Sequence, residues 1–201
     1  MRFWWDGETL DENWSNPRWA GIVHAAARAF ANYGYEGTSM SAIAAEAGIA
    51  KGGIYFSFKT KAELAQVLVE RQQDAVEHLF EESASWGIGP TERIGRICAR
   101  LARQAATDPI MGSGIRLSLE MPRFQSNREP YGTWMKEIVL LAEEGKTVGE
   151  LREDVDPATF ARIALSLFVG LQVTTLTLGD LETLETQSRT AWEFLLAGVA
   201  S

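Results

Sequence analysis

Cysteine and histidine are nearly missing from this chain. One cysteine, Cys98, excludes an internal disulfide framework and any cysteine-rich metal centre. Two histidines, His24 and His78, leave little material for zinc. No glycine-rich phosphate loop is present, and no nucleophile stands at a recognisable spacing from a base, so nothing points to an enzyme or to a cofactor. Long apolar runs are missing as well. The longest, Ala161 to Leu178, is interrupted by Arg162, Gln172 and several threonines, which argues against a membrane span. The opening Met1-Arg-Phe-Trp-Trp5 is too short for a signal segment and ends at Asp6, so the expected location is the cytoplasm. No stretch alternates apolar and polar residues for long, which excludes a sheet of any size. An excess of positive charge is absent too, since the net charge is −8.

The 201 residues are 46% hydrophobic and 23% charged, a composition that buries a core and does not suit a disordered chain. Prolines organise them. Asn16-Pro17, Gly89-Pro90, Asp108-Pro109 and Asp156-Pro157 each place a capping residue before a proline, the residue best tolerated at the first helical position. Helical periodicity follows each pair: Val23, Ala26, Ala27 and Phe30; Ile94, Ile97, Cys98 and Leu101; Phe160, Ile163, Ala164, Leu167, Phe168 and Leu171. Thr60-Lys-Ala-Glu63 reads as a capping box opening another long helix. Gly34, Gly87 and Gly145 are expected to end helices. The pattern predicts an all-α protein of about nine helices.

Residues 38 to 58 carry the functional signal. Ser39 caps a short helix, Met40 to Ala47, closed by Gly48; a second short helix runs from about Ala50 to Phe56. Two helices on a tight glycine turn make a helix-turn-helix, whose second helix enters a DNA major groove. A bare helical hairpin has the same spacing, so the spacing alone does not decide. Two interior glycines, Gly52 and Gly53, destabilise that second helix by about 1 kcal/mol each relative to alanine. Close approach to DNA explains them. Local charge permits it: residues 15 to 61 hold five basic side chains against two acidic ones, a balance of +3. Residues 1 to 14 hold one against four, an acidic arm rich in tryptophan.

Ile22-Val-His-Ala-Ala-Ala-Arg-Ala-Phe30, Gly34-Tyr-Glu-Gly-Thr-Ser39, Ile43-Ala-Ala-Glu-Ala-Gly48, Lys51-Gly-Gly-Ile-Tyr-Phe56 and Phe58-Lys-Thr-Lys-Ala-Glu-Leu64 together resemble the DNA-binding head of TetR-type transcriptional repressors. The resemblance implies a homodimer with a three-helix head and a larger helical domain that binds a small inducer. Tyr55-Phe-Ser-Phe58, Asp108-Pro-Ile-Met111, Gly114-Ile-Arg-Leu117, Trp134 and Phe168-Val-Gly-Leu-Gln172 further resemble the γ-butyrolactone receptors within that family. Two departures stand out. Ser57 occupies a position where the family usually has histidine, and the usual basic arm is replaced by an acidic one.

The domain boundaries follow: an arm at 1–15, a DNA-binding head at 16–59, and a ligand-binding and dimerisation domain at 60–201. In the head, Ala50, Lys51, Gly52 and Gly53 are expected at base edges, and Ser39, Tyr55, Ser57 and Lys61 at phosphates. The partner the resemblance implies is a near-palindromic duplex. In the larger domain, Gln73, Arg116, Trp134, Gln172 and Thr175 are the candidate ligand contacts, and the resemblance implies a small apolar lactone-like ligand. Arg116 has a rival partner in Glu120, its i+4 neighbour. The penultimate helix is apolar nearly all round, which requires cover on both sides and supports the homodimer. A regulator answering to a drug-like or acyl ligand is the alternative. Cys98 is expected to be an inert thiol, and both histidines to face solvent.

Overall fold

The computed structural model describes residues 14–120 and 130–200, which hold nine α-helices. They are α1 (Pro17–Tyr33), α2 (Met40–Glu46), α3 (Lys51–Ser57), α4 (Lys61–Ser83), α5 (Pro90–Thr107), α6 (Pro109–Glu120), α7 (Pro130–Thr147), α8 (Pro157–Leu178) and α9 (Leu184–Ala197). Among the described residues the only extended pairing is an isolated bridge between Leu151 and Ala200. The all-α expectation is met. Residues 1–13, most of the acidic arm, lie outside the described residues.

Local chemistry sets most helix ends. Asn16 accepts from the Arg18 and Trp19 amides at 3.0 and 3.3 Å and caps α1. Thr60 Oγ1 accepts from Glu63 N at 3.1 Å while the Glu63 carboxylate accepts from Lys59 N at 2.6 Å, a capping box shifted by one residue. Asp156 accepts from Thr159 N at 2.8 Å, and the Thr159 bonds hold its carboxyl below the ordinary value. Gly89 has no side chain to cap α5, so Glu150 does it from a distance, accepting from Thr91 N and Oγ1 at 2.9 and 2.6 Å. Gly34 (φ +71°) ends α1 and Gly87 (φ +65°) follows α4, as expected. Gly145 does not end a helix. It lies inside α7 against Leu151 and Thr91, and the left-handed turn comes later, at Gly149 (φ +78°). The last helix begins at Leu184, because Leu181–Thr183 forms a separate 3₁₀ turn.

The chain divides into two compact units. The first unit holds residues up to 72 together with 109–125; the second holds 73–108 and 126–201. In the first, Ile22, Val23, Phe30, Ile43, Ile54 and Phe58 pack with Leu64 and Leu68 of α4 and Leu117 of α6 into one core. The contact that draws α6 into this unit is glycine-dependent. A Cβ at Gly114 would stand 2.5 Å from Gln72 Cβ and 2.8 Å from the Leu68 carbonyl, so only glycine lets α6 lie this close to α4. In the second unit, α5 and α9 lie side by side with α7 and α8, and the Trp192 indole fills the space a Cβ at Gly95 would need.

Candidate nucleic-acid interface and ligand cavity

The head builds a small exposed surface on α2 and α3. Ser39 caps α2: its Oγ accepts from Ala42 N at 3.1 Å, which leaves the hydroxyl proton free to donate outward. Ala50 precedes α3 in an extended conformation with no side-chain cap. Lys51, Gly52 and Tyr55 are exposed, and nothing lies within 4 Å of where a Gly52 Cβ would be. Backbone at Gly52 is therefore open to a partner. Gly53 differs, because its missing Cβ makes room for Arg18, whose Nη2 donates to the Gly53 carbonyl at 3.0 Å. Ser57 is half-buried at the end of α3. Ile54 and Phe58 are fully buried and lock α3 onto the core, with the Trp19 ring 5.5 Å from that of Phe58.

Lys61 turns inward. Its ammonium donates to the carbonyls of Tyr35 at 2.6 Å and Thr38 at 2.9 Å and lies 4.1 Å from the Tyr35 ring centre. One N–H of three remains for an outside acceptor. Arg116 belongs to the first unit and is committed there. Nε donates to Glu120 Oε1 at 2.6 Å and Nη1 to the Ala31 carbonyl at 2.8 Å, near the C-terminal end of α1, while Glu120 Oε2 accepts from Tyr35 N at 2.8 Å. Of its two expected partners the structure selects Glu120, and Arg116 is absent from the cavity lining. Both unforeseen partners, Arg18 with Gly53 and Arg116 with Ala31, are too far apart in sequence for any local pattern to show.

The second unit encloses a narrow apolar lumen of about 10 Å³, room for roughly one water. Phe80, Ile94, Ile97, Cys98, Leu101, Trp134, Ile138, Leu165 and Phe168 line it. Trp134 is among them, buried and edge-on to Tyr131 at 5.8 Å. Burial pushes the Cys98 thiol up to about 12 and the Tyr131 phenol upward as well. Gln172 and Thr175 do not line the lumen, but Gln172 stands one turn beyond Phe168 on α8. The two residues differ. Thr175 donates to the Leu171 carbonyl at 2.9 Å, whereas the Gln172 amide nitrogen is buried without a partner among the described residues. Gln73, also buried, stands two turns before Phe80 on α4. His24 and His78 are exposed as expected. Among the described residues no group of acidic, histidine or cysteine side chains is arranged to hold a metal ion.

Residues 22–68, which contain α2, α3 and the turn between them, match the family model for bacterial regulatory proteins of the tetR family. That segment is a tetR-family DNA-binding head. The chain's likeness to individual members runs beyond the head. The A-factor receptor protein of Streptomyces griseus is 30% identical over 182 residues, which are 90% of this chain and 63% of that relative's length. This chain therefore spans less than two-thirds of the receptor. A solved structure concerned with control of antibiotic production by bacterial hormones is 27% identical, with a TM-score of 0.79 over 98% of this chain and 100% of that one. A γ-butyrolactone receptor crystal structure, 23% identical over 94% of this chain and 99% of that one, shares the fold at a TM-score of 0.73.

Proposed function

We propose that this TetR-family chain is a homodimeric, cytoplasmic transcriptional repressor that binds a near-palindromic operator and releases it when a small γ-butyrolactone-like or butenolide-like molecule enters the second unit. The observation that carries the DNA-binding half is α3: a recognition helix with open backbone at Gly52, flanked by exposed Lys51 and Tyr55 and anchored underneath by Ile54 and Phe58. Lys51 and the small residues Ala50 and Gly52 face base edges, while Gly53 seats the Arg18 guanidinium. Ser39, Tyr55, Ser57 and the remaining Lys61 donor serve phosphates, which fix register without reading sequence.

The ligand half rests on Trp134 and Gln172. An apolar ring stacks on the indole, and a lactone carbonyl accepts from the amide that the protein leaves unpaired. A lumen of about 10 Å³ is too small for any such ligand, so binding opens it. A ligand that favours the opened, DNA-incompetent state by 1–3 kcal/mol releases the operator about 5–150-fold. The continuous helix α4 contributes Lys61 to the head and Phe80 to the lumen, a covalent link between the two events. The apolar lining also suits a drug-like or acyl ligand, the second reading.

Self-association follows from α8 and α9. Ile163, Val173, Leu178 and Phe194 are exposed, at 48%, 43%, 74% and 77%, far more than a lone chain of this size needs to show water. α8 is long and apolar enough by composition to cross a membrane, with a mean hydropathy of 1.5, and burial against a second copy accounts for that character. The test is selection from a random duplex library followed by anisotropy with alkyl γ-butyrolactones, acyl chains and planar drugs. Enrichment of an inverted repeat and release by lactone alone is the expected result. Failure to enrich any sequence, or a monomer in light scattering at micromolar concentration, refutes it.

A further inference from the structure

Arg18 is the side chain that neither the family pattern nor the sequence spacing singles out. It is the second residue of α1, exposed, with its backbone amide held by Asn16 Oδ1 at 3.0 Å. Across 35 residues of sequence its Nη2 donates to the Gly53 carbonyl at 3.0 Å, in the middle of α3. A Cβ at Gly53 would stand 2.6 Å from that nitrogen, so the glycine is what lets the guanidinium sit there. Gly53 is thereby explained without DNA, while Gly52, with nothing near it, is not. A guanidinium carries five N–H donors in a rigid plane, and one of them is used by Gly53. No carboxylate among the described residues pairs with Arg18. The head is meanwhile short of phosphate donors: its charge is only +3, Ser57 replaces the usual histidine, and Lys61 is turned inward.

We infer that Arg18 is a second-helix positioning residue and a phosphate contact at once: it fixes the recognition helix α3 to α1 through Gly53 and presents its remaining N–H donors to a DNA phosphate beside the groove that α3 enters. This inference rests on the DNA-binding reading above. A planar fork suits both tasks, because one edge can grip a carbonyl while the other meets a phosphate oxygen. The charge that the acidic arm does not supply is then delivered from the start of α1.

The experiment uses the full chain and a duplex that the wild-type protein has itself enriched from a random library, with affinity measured across a range of potassium chloride concentrations. Arg18→Ala is expected to weaken binding about tenfold and to reduce the salt slope by about one per head bound. Arg18→Lys restores the slope but only part of the affinity, since an ammonium cannot fork. Gly53→Ala displaces the flexible end of Arg18, leaves the fold intact by circular dichroism, and loses as much affinity as Arg18→Ala. Combining the two adds no further loss. Binding by Arg18→Ala within twofold of wild type, or a loss with the salt slope unchanged, overturns the phosphate contact. Additive losses in the double variant overturn the link through Gly53. Should the wild-type protein enrich no duplex, the DNA-binding reading falls and this inference with it; enrichment with an indifferent Arg18 removes this inference alone.

Discussion

The Lys61 ammonium and the Tyr35 ring lie face to face at 4.1 Å, and the same ammonium grips the Tyr35 carbonyl at 2.6 Å. Tyr35 in turn stacks on Phe30 at 6.0 Å and gives its amide to Glu120 at 2.8 Å. The turn between α1 and α2 is therefore held from three sides. Thr38 completes it, donating to the Gly34 carbonyl at 2.7 Å. This turn sets the angle at which α2, and through it α3, leaves α1.

Replacing Lys61 with alanine should cost about 1–2 kcal/mol, the worth of charge-assisted hydrogen bonds at a half-buried site. That lowers the melting temperature by roughly 3–6 °C in a chain this long. If the remaining N–H reaches a phosphate, the variant also weakens binding equally on enriched and random duplexes, with a salt slope reduced by about one. Thermal denaturation and anisotropy read the two effects separately. An unchanged slope assigns Lys61 to the turn alone.

Trp134 supplies the largest ring in the lumen lining, and removing it leaves a void. Trp134→Ala should destabilise the protein by about 3–5 kcal/mol, so Trp134→Phe is the companion variant that keeps an aromatic wall. Neither touches α3, and both should bind the enriched duplex with wild-type affinity while losing release by an alkyl γ-butyrolactone. A variant still released at the wild-type lactone concentration would remove the indole from the pocket.

Gln172→Leu separates ligand binding from stability by sign. Gln172 is buried and its amide nitrogen has no hydrogen-bond partner among the described residues, so an apolar side chain of similar size removes a penalty. The variant should melt at or above the wild-type temperature yet bind the lactone about 5–30-fold more weakly, as expected for one lost hydrogen bond of 1–2 kcal/mol. Calorimetry with and without lactone checks both. A variant that melts lower and binds lactone normally would show that Gln172 serves the core.

Cys98 gives a pH-dependent handle on lumen opening. Burial raises its thiol from an ordinary 9.0 to about 12, so at pH 8 the native protein holds less thiolate than the unfolded chain. The sign follows: the folded state retains this proton, and the associated stability, complete below pH 9, is lost as pH rises toward 12. Disulfide-exchange reagents at pH 8 should react slowly with the native protein, rapidly after denaturation, and at a changed rate when lactone occupies the lumen. Rapid reaction of the native thiol would contradict its burial.

Helix identity in this chain is local, and it was legible. Asn16, Thr60 with Glu63, and Asp156 satisfy amides within four residues of themselves, so their capping is written in adjacent letters. The spacing of Trp134 from Tyr131 and Ile138 reads as core and the family resemblance as pocket; the side chain is buried and also lines the lumen. Gly145 was misread because a glycine inside a helix and one at its end look alike in sequence. The difference is Leu151 and Thr91 packing against it.

Tertiary structure decided where the helices meet and which charges are occupied. Gly114 brings α6 onto α4 and into the first unit, a consequence of a close approach between helices that no periodicity encodes. Arg116 met Glu120 and Ala31, Lys61 met Tyr35 and Thr38, and Arg18 met Gly53, so three cations acquired three distinct duties. A capping bond is closed by the backbone's own geometry within one helical turn. A side chain that reaches across 35 or 85 residues finds its acceptor only after packing has placed that acceptor's helix, which is why the i+4 partner Glu120 was legible in the sequence while the Gly53 and Ala31 carbonyls were not.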